Sequence, residues 1–333
     1  MSTATTLARF ILKSRKNPSE DDDQLAVLLT QIAYAGKILA REMRRAPLVG
    51  QLGLTGDKNI TGDAQKKLDV FGNDTFVEAF GETGLVAAIV SEEIDEAKTM
   101  SVGSGAKFVI CVDPLDGSSN TDINGPVGTI FGIYRRVTTD GQQSPKDLLR
   151  NGREQVAAGY VMYGPSTALV YTCGDGVHGF TLDHDLGEFL LSHENIRCPE
   201  RGHYYSGNMG YYHDWHANIR SFIDYLTDPD PATHRPYSLR YAGALVADVH
   251  RCLLEGGLYF YPPDTQHRSG KLRLLYECAP LAMIVEQAGG RASDGANPIL
   301  GIQAESIHQR VPLVIGSKQD VELYEKFLAH GRP

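Results

Sequence analysis

Six short apolar runs follow one another between residues 86 and 182: Val86–Val90, Phe108–Val112, Thr129–Tyr134, Val156–Tyr163, Ala168–Thr172 and Val177–Leu182. Each is too short for a globular helix and rich in strand formers. Gly174-Asp175-Gly176 supplies a hairpin turn between the last two. Little helical pattern separates the runs, so adjacent pairs are expected to be antiparallel. A chain of this kind must build a large sheet and cover its faces with helices from elsewhere.

Those helices can be read on either side. Ser19 can cap a helix whose first turn holds Glu20, Asp21, Asp22 and Asp23. Leu25, Leu28, Leu29, Ile32, Ile38 and Leu39 recur at helical spacing, and Arg41, Arg44 and Arg45 close the helix before Pro47. Residues 46–62 carry several glycines without a period and read as a mobile loop. Ala64 to Phe80 reads as a second helix. After a Pro- and Gly-broken stretch at 198–211, helices are expected at 216–226, 241–254 and 275–288, with strands at Leu258–Tyr261 and Val311–Ile315. A last helix is expected after Ser317. The class is α/β, with helix and sheet layers alternating. The expected domains are 1–197 and 198–333.

Composition removes several functions. The net charge is −9, with no long basic block, so a nucleic-acid partner is not expected. No apolar run approaches the roughly 20 residues that cross a bilayer. The five cysteines are scattered and form no C-x-x-C pair, which suits a reducing compartment. The N-terminus reads as a short amphipathic helix rather than a secretory signal, and the expected address is cytoplasmic.

Two strands end in acids. Val86–Val90 runs into Ser91, Glu92 and Glu93, and Phe108–Val112 runs into Asp113 and Asp116. Asp63, Asp69 and Glu277 are candidates to join them. Carboxylates brought together repel unless cations lie among them. An all-oxygen set selects Mg²⁺ or Mn²⁺. Calcium-loop spacing fails in DPLDGSSNTDIN, where glycine falls fifth and Asn124 twelfth. Gly117-Ser118-Ser119 can start a helix or form a nest whose N–H groups face an anion. Metal beside an oxyanion points to hydrolysis of a phosphate monoester. No G-x-x-x-x-G-K-[ST] cradle for a nucleotide occurs.

DPLDGSSN (113–120) resembles the metal motif of class I fructose-1,6-bisphosphatases, within the inositol-phosphatase-like sugar phosphatases. GDAQKKLDVFGND (62–74), VSEEID (90–95), GTIFGIYRR (128–136), VAAGYVMYG (156–164), RYAGALVADVHR (240–251) and GKLRLLYEC (270–278) resemble the same family, in its order. The resemblance implies Mg²⁺-dependent hydrolysis of the 1-phosphate of fructose 1,6-bisphosphate, with two to three metal ions per subunit. It implies that Asp113, Asp116 and Glu277 hold one metal, and Glu92, Asp113 and the Leu115 carbonyl a second. Asp63, with Glu92, would serve a third. Asp69 and Glu93 would take the proton from the attacking water. Ser118 and Ser119, beside Asp116 and Gly117, would bind the 1-phosphate. Asn208, Tyr211, Tyr241, Tyr261 and Lys271 would hold the 6-phosphate, with Arg240 reaching it from a neighbouring subunit. Arg273 would lie near the sugar and the 1-phosphate. A homotetramer, a dimer of dimers, is also implied.

The chain departs from the family pattern in places. The Gly-Thr-Gly-Glu stretch of many AMP-binding members falls on Asp21, Asp22, Asp23 and Gln24, and Lys-Tyr becomes Lys107-Phe108. Arg135 remains. Acids there would repel a nucleotide phosphate, so AMP inhibition is expected to be weak or absent. Met209 stands where the family usually has Glu. Residues 137–155 hold no cysteine, so thioredoxin control is not expected. His213 and His216 read as a surface helix start rather than a metal pair. The runner-up activity is sedoheptulose 1,7-bisphosphatase. An inositol-monophosphatase-like enzyme would not need Lys271, Tyr241 and Tyr261. A non-catalytic binder would not need every acid of the set.

Overall fold

The computed structural model describes residues 4–14, 19–58, 64–100, 106–138 and 144–332. The N-terminal helices are α1 (Leu7–Ser14) and α2 (Glu20–Val49). Ser19 caps α2: its hydroxyl accepts from Asp22 N at 3.2 Å, and Asp22 Oδ2 accepts from Ser19 N at 3.0 Å. The helix continues past Arg45 and takes Pro47 into its final turn, ending at Gly50 in the left-handed conformation. Of the loop expected at 46–62, the described part is partly helix and partly strand, and 59–62 lie outside the described residues. β1 (Leu54–Lys58) pairs antiparallel with β2 (Ala64–Lys66), and α3 (Lys67–Gly81) starts three residues later than the pattern suggested. Lys66 is the N-cap of α3, and Asp69 Oδ2 closes the cap by accepting from Lys66 N at 2.8 Å.

The main sheet contains β3 (Val86–Ser91), β4 (Lys98–Thr99), β5 (Phe108–Asp116), β6 (Val127–Arg135), β7 (Gln155–Tyr163), β8 (Thr167–Thr172), β9 (His178–Asp183) and β10 (Glu188–His193). Its order is β10-β9-β8-β7-β6-β5-β3-β4. Pairing is antiparallel as expected, except that β3 and β5 run parallel. That exception places the ends of β3 and β5, and therefore their acids, at the same edge. The short helix α4 (Pro145–Leu148) lies between β6 and β7.

Downstream come β11 (Tyr204–Ser206), α5 (Ala217–Thr227), β12 (Ser238–Leu239), α6 (Leu245–Glu255), β13 (Leu258–Tyr261) and β14 (Leu272–Arg273). Then follow α7 (Ala279–Gln287), β15 (Arg291–Ser293), β16 (Arg310–Val311), β17 (Leu313–Gly316) and α8 (Lys318–His330). His216 is the N-cap of α5. The second sheet has the order β12-β11-β13-β17-β15. The helix expected at 241–254 begins only at Leu245: Gly243 is left-handed (φ 74°), and Ala242 is bonded through its C=O to Asn120 and through its N–H to Asp248. The helix expected at 275–288 is α7 preceded by one π-helical stretch, Leu274–Cys278, which carries Glu277.

Alternation along the strands explains the layering. On β6, Phe131 and Ile133 pack with α1, α2 and α3, whereas Ile130 and Tyr134 pack with α6 and α7. On β13, Tyr259 joins the α6–α7 core, whereas Leu258 and Phe260 pack against α5 and α8. The result is helices, sheet, helices, sheet, helices. Both faces of each sheet are covered, which is why β3 and β5 are buried throughout their lengths. Burying one such side chain, Phe131 for example, contributes about 1.5–3 kcal/mol. Among the described residues, no helix is long and apolar enough to cross a membrane.

Candidate active site

The acids of the two strand ends meet a third from the far half of the chain. One oxygen from each of Asp113, Asp116 and Glu277 lies within 4.8 Å of the others, and all three residues are buried. Asp113 and Asp116 come from the last turn of β5, and Glu277 from the π-helical stretch. The group therefore straddles the expected boundary near residue 198. Glu92 follows β3, is hydrogen-bonded to Asp113 and feels the charges of Glu93 and Asp116. Burial first, and mutual repulsion next, push the Asp113 and Glu277 carboxyls well above their ordinary range. Burial also raises Glu92 to about 7 and Asp116 to about 6. Such a set is stable when protonated or when it holds a cation. Four carboxylates without nitrogen or sulfur fit a hard divalent ion.

Among the described residues, Arg273 supplies a counter-charge to these acids. Arg273 is buried, its backbone N–H donates to Glu277 Oε2, and its guanidinium attracts Glu92 and Glu277. Asp116 is held from the other side. Its two oxygens accept from Leu245 N at 3.1 Å and Val246 N at 2.7 Å, at the start of α6.

The anion turn expected after Asp116 is a short 3-10 helix, Ser118–Ile123, entered through Gly117 with φ 73°. Lys66 fastens this helix to the start of α3, donating from Nζ to Asp122 Oδ2 at 2.8 Å. Asp69 feels the charge of Glu93 and lies beside the Ser118 hydroxyl, and burial raises it to about 6. Among the described residues, its buried Oδ1 has no hydrogen-bond partner. Glu93 Oε2 accepts from Gln65 Nε2 at 2.6 Å. Asp63 lies outside the described residues. Leu115, inside β5, donates its N–H to Asp113 Oδ1 at 3.0 Å.

A second polar group gathers beside the first. Lys271 Nζ donates to the Tyr211 hydroxyl at 3.0 Å, stands 4.4 Å from the centre of that ring and 5.9 Å from the centre of Tyr261. The Tyr211 and Tyr261 ring centres stand 6.4 Å apart, and the Tyr241 hydroxyl lies within electrostatic reach of both. Asn208 caps the short helix that carries Tyr211, accepting from Gly210 N at 3.1 Å. Met209 is partly buried against the α5–α8 core. Arg240 is not brought into this group within the chain. It is exposed, donates to Leu239 O and sits over the Tyr204 ring.

Two family models match the chain: the N-terminal domain of fructose-1-6-bisphosphatase over residues 5–194 and its C-terminal domain over 198–329. The chain belongs to the fructose-1,6-bisphosphatase family. By that membership it is a phosphoric monoester hydrolase. A class 1 fructose-1,6-bisphosphatase of Acaryochloris marina is 60% identical over 93% of this chain and 93% of that protein. One from Chlorobium luteolum is 51% identical over 98% of both. The crystal structure of Leishmania major fructose-1,6-bisphosphatase in holo form superimposes with a TM-score of 0.92 at 40% identity, covering 98% of this chain and 100% of that one.

Residues given no role in the sequence analysis also brace this group of acids and its turn: Lys66, Asn120, Asp122 and Asp248. Each binds backbone or another side chain across a large sequence gap. Lys66, Asn120 and Asp248 lie inside the quoted motifs 62–74, 113–120 and 240–251, but nothing local shows what their side chains bind.

Proposed function

We propose that this chain hydrolyses the 1-phosphate of fructose 1,6-bisphosphate to give fructose 6-phosphate and orthophosphate. The observation that carries this reading is the convergence of Asp113, Asp116 and Glu277 beside the Gly117 turn, with the Lys271–Tyr211–Tyr261 group on the adjoining surface. One phosphate would lie on Ser118 and Ser119. The other would lie among Lys271, Tyr211, Tyr241, Tyr261 and Asn208. A cation with tyrosine hydroxyls suits a phosphate dianion.

The acids would hold two to three Mg²⁺ or Mn²⁺ ions, with Asp63 serving the third. Bound there, metal supplies charge neutralisation at the phosphoryl oxygens and a more acidic water. Asp69 and Glu93 take the proton from the attacking water, and the raised pKa of Asp69 suits a base working near neutrality. Arg273 steadies Glu92 and Glu277 and offers positive charge near the 1-phosphate. The N-terminal part, 1–197, supplies most of the metal and regulatory surface, and 198–333 holds the distal phosphate. We further propose a cytoplasmic homotetramer, in which Arg240 crosses to a neighbouring subunit.

AMP inhibition is proposed to be weak or absent. Asp21 already pairs with Arg135, and Lys107 Nζ pairs with Glu20 at 2.9 Å and Asp21 at 3.1 Å. Those cations are satisfied by the chain itself, and Phe108 is fully buried. The named relatives are fructose-1,6-bisphosphatases, which favours fructose over sedoheptulose bisphosphate. Phosphate release with Mg²⁺ from fructose 1,6-bisphosphate, sedoheptulose 1,7-bisphosphate and inositol 1-phosphate tests the assignment. Preference for either of the last two overturns it.

A further inference from the structure

Asp248 is 2% exposed, yet it is an acid with no cation hydrogen-bonded to it among the described residues. A buried carboxylate is costly unless its oxygens are occupied. Here they accept from Ala242 N, at 2.9 Å to Oδ1 and 3.2 Å to Oδ2, and the Gly243 N–H also points to them. The buried Ser206 hydroxyl lies beside the same carboxylate from β11. Ala242 follows Tyr241, and Ser206 precedes Asn208 by two residues. The carboxylate is therefore bonded to the backbone segment that carries Tyr241 and lies beside the side chain of the segment that carries Asn208.

The same peptide is held from its other side. Asn120 Nδ2 donates to Ala242 O at 3.0 Å and to Pro126 O at 3.0 Å. Asn120 belongs to the 3-10 helix behind Ser118 and Ser119. The Ala242 peptide thus links the anion turn, through its C=O, to α6, through its N–H. Three residues on, Leu245 N and Val246 N hold Asp116. The segment 240–246 is fixed at both ends relative to the acids.

We propose that Asp248 is a positioning residue that sets Tyr241 at the spacing from the anion turn that a sugar bisphosphate requires. It touches no substrate itself. The inference rests on the reading of Lys271, Tyr211, Tyr241 and Tyr261 as the distal-phosphate group. An ordinary first-turn acid would favour α6 alone. This one spends its oxygens on the preceding loop, so its loss shifts the loop more than the helix.

The test uses the full chain loaded with Mg²⁺. Asp248→Asn keeps the shape and one acceptor. It is expected to raise KM for fructose 1,6-bisphosphate, and the inhibition constant of fructose 6-phosphate, by about tenfold, the size of one lost charged hydrogen bond. The kcat stays within about twofold, since the acids are undisturbed. Tyr241→Phe raises KM in the same way, and the double variant is no worse than the larger single one, because Asp248 acts through Tyr241. Asn120→Ala removes the opposite pin and gives a KM rise in the same sense. Unchanged KM in both Asp248→Asn and Asn120→Ala, a loss confined to kcat, or additive effects in the double variant overturn the proposal. If Tyr241→Phe alone leaves KM untouched, the distal-phosphate reading beneath it falls first.

Discussion

Gly117→Ala is the smallest change that should disconnect the two halves of the site. Gly117 has φ 73°, where an L side chain costs about 1–2 kcal/mol. A Cβ on it would stand 2.4 Å from Ala244 Cβ and 2.9 Å from Ala244 Cα. Carbon atoms rest at about 3.5–4.0 Å, so the two segments must part by about 1 Å. Overpacking of that kind costs about 1–3 kcal/mol, for a total of about 2–5 kcal/mol. The displacement falls on Ala244, directly before the Leu245 and Val246 N–H groups that hold Asp116. A shift of about 1 Å near the reacting centre costs on the order of 10²-fold in rate. Thermal unfolding and kcat with Mg²⁺ are the assays. Gly164→Ala is the control, because its Cβ would meet only Ser166 O, at 3.9 Å. Wild-type stability and turnover in Gly117→Ala would falsify the reasoning.

Other consequences follow from single groups. Asp69 must be ionised to act as a base, so kcat should climb as pH rises through about 6 and then level off, and Asp69→Asn should abolish the step. Its effect on folding has the opposite sign. A carboxyl raised from 3.8 to about 6 binds its proton more tightly in the folded chain, so about 3 kcal/mol of stability present below pH 4 is lost as pH rises through 6. Thermal melts of the wild type and Asp69→Asn across that range should differ in slope, and parallel curves would count against the burial argument. Lys66→Met removes the ion pair of Asp122 and should cost about 1 kcal/mol while loosening the turn that carries Ser118, read by melting and by turnover. AMP at micromolar concentration should leave the rate unchanged, whereas clear inhibition would mean that the Asp21–Arg135 pair opens.

How much could be read beforehand depended on whether the signal was local. The β3 and β5 runs ended at visible acids, and their parallel pairing brought Glu92 to Asp113. Two faces of buried strand cannot be told apart by alternation, so only the three-dimensional layers show which helices cover which side. The hairpin of β1 and β2 escaped because residues 46–62 have no period. It is held by pairing and by Asp122 Oδ1, which accepts from Gly53 N at 3.1 Å. The late start of α6 escaped as well. Apolar spacing continues through Ala242 and Ala244, but Asp248 and Asn120 hold that peptide out of the helix. Asp248 itself reads in sequence as an ordinary helix acid. Its role becomes visible only when its partners, Ala242 before α6 and Ser206 on β11, are in place.

The most direct test is to identify the product formed from fructose 1,6-bisphosphate by phosphorus NMR, with Mg²⁺ present and then chelated. The account predicts fructose 6-phosphate and orthophosphate with the metal, and no release without it. Fructose 1-phosphate as product would contradict it, by placing the Lys271 group rather than the acids at the cleaved phosphate. Equal release after chelation would remove the role given to Asp113, Asp116 and Glu277.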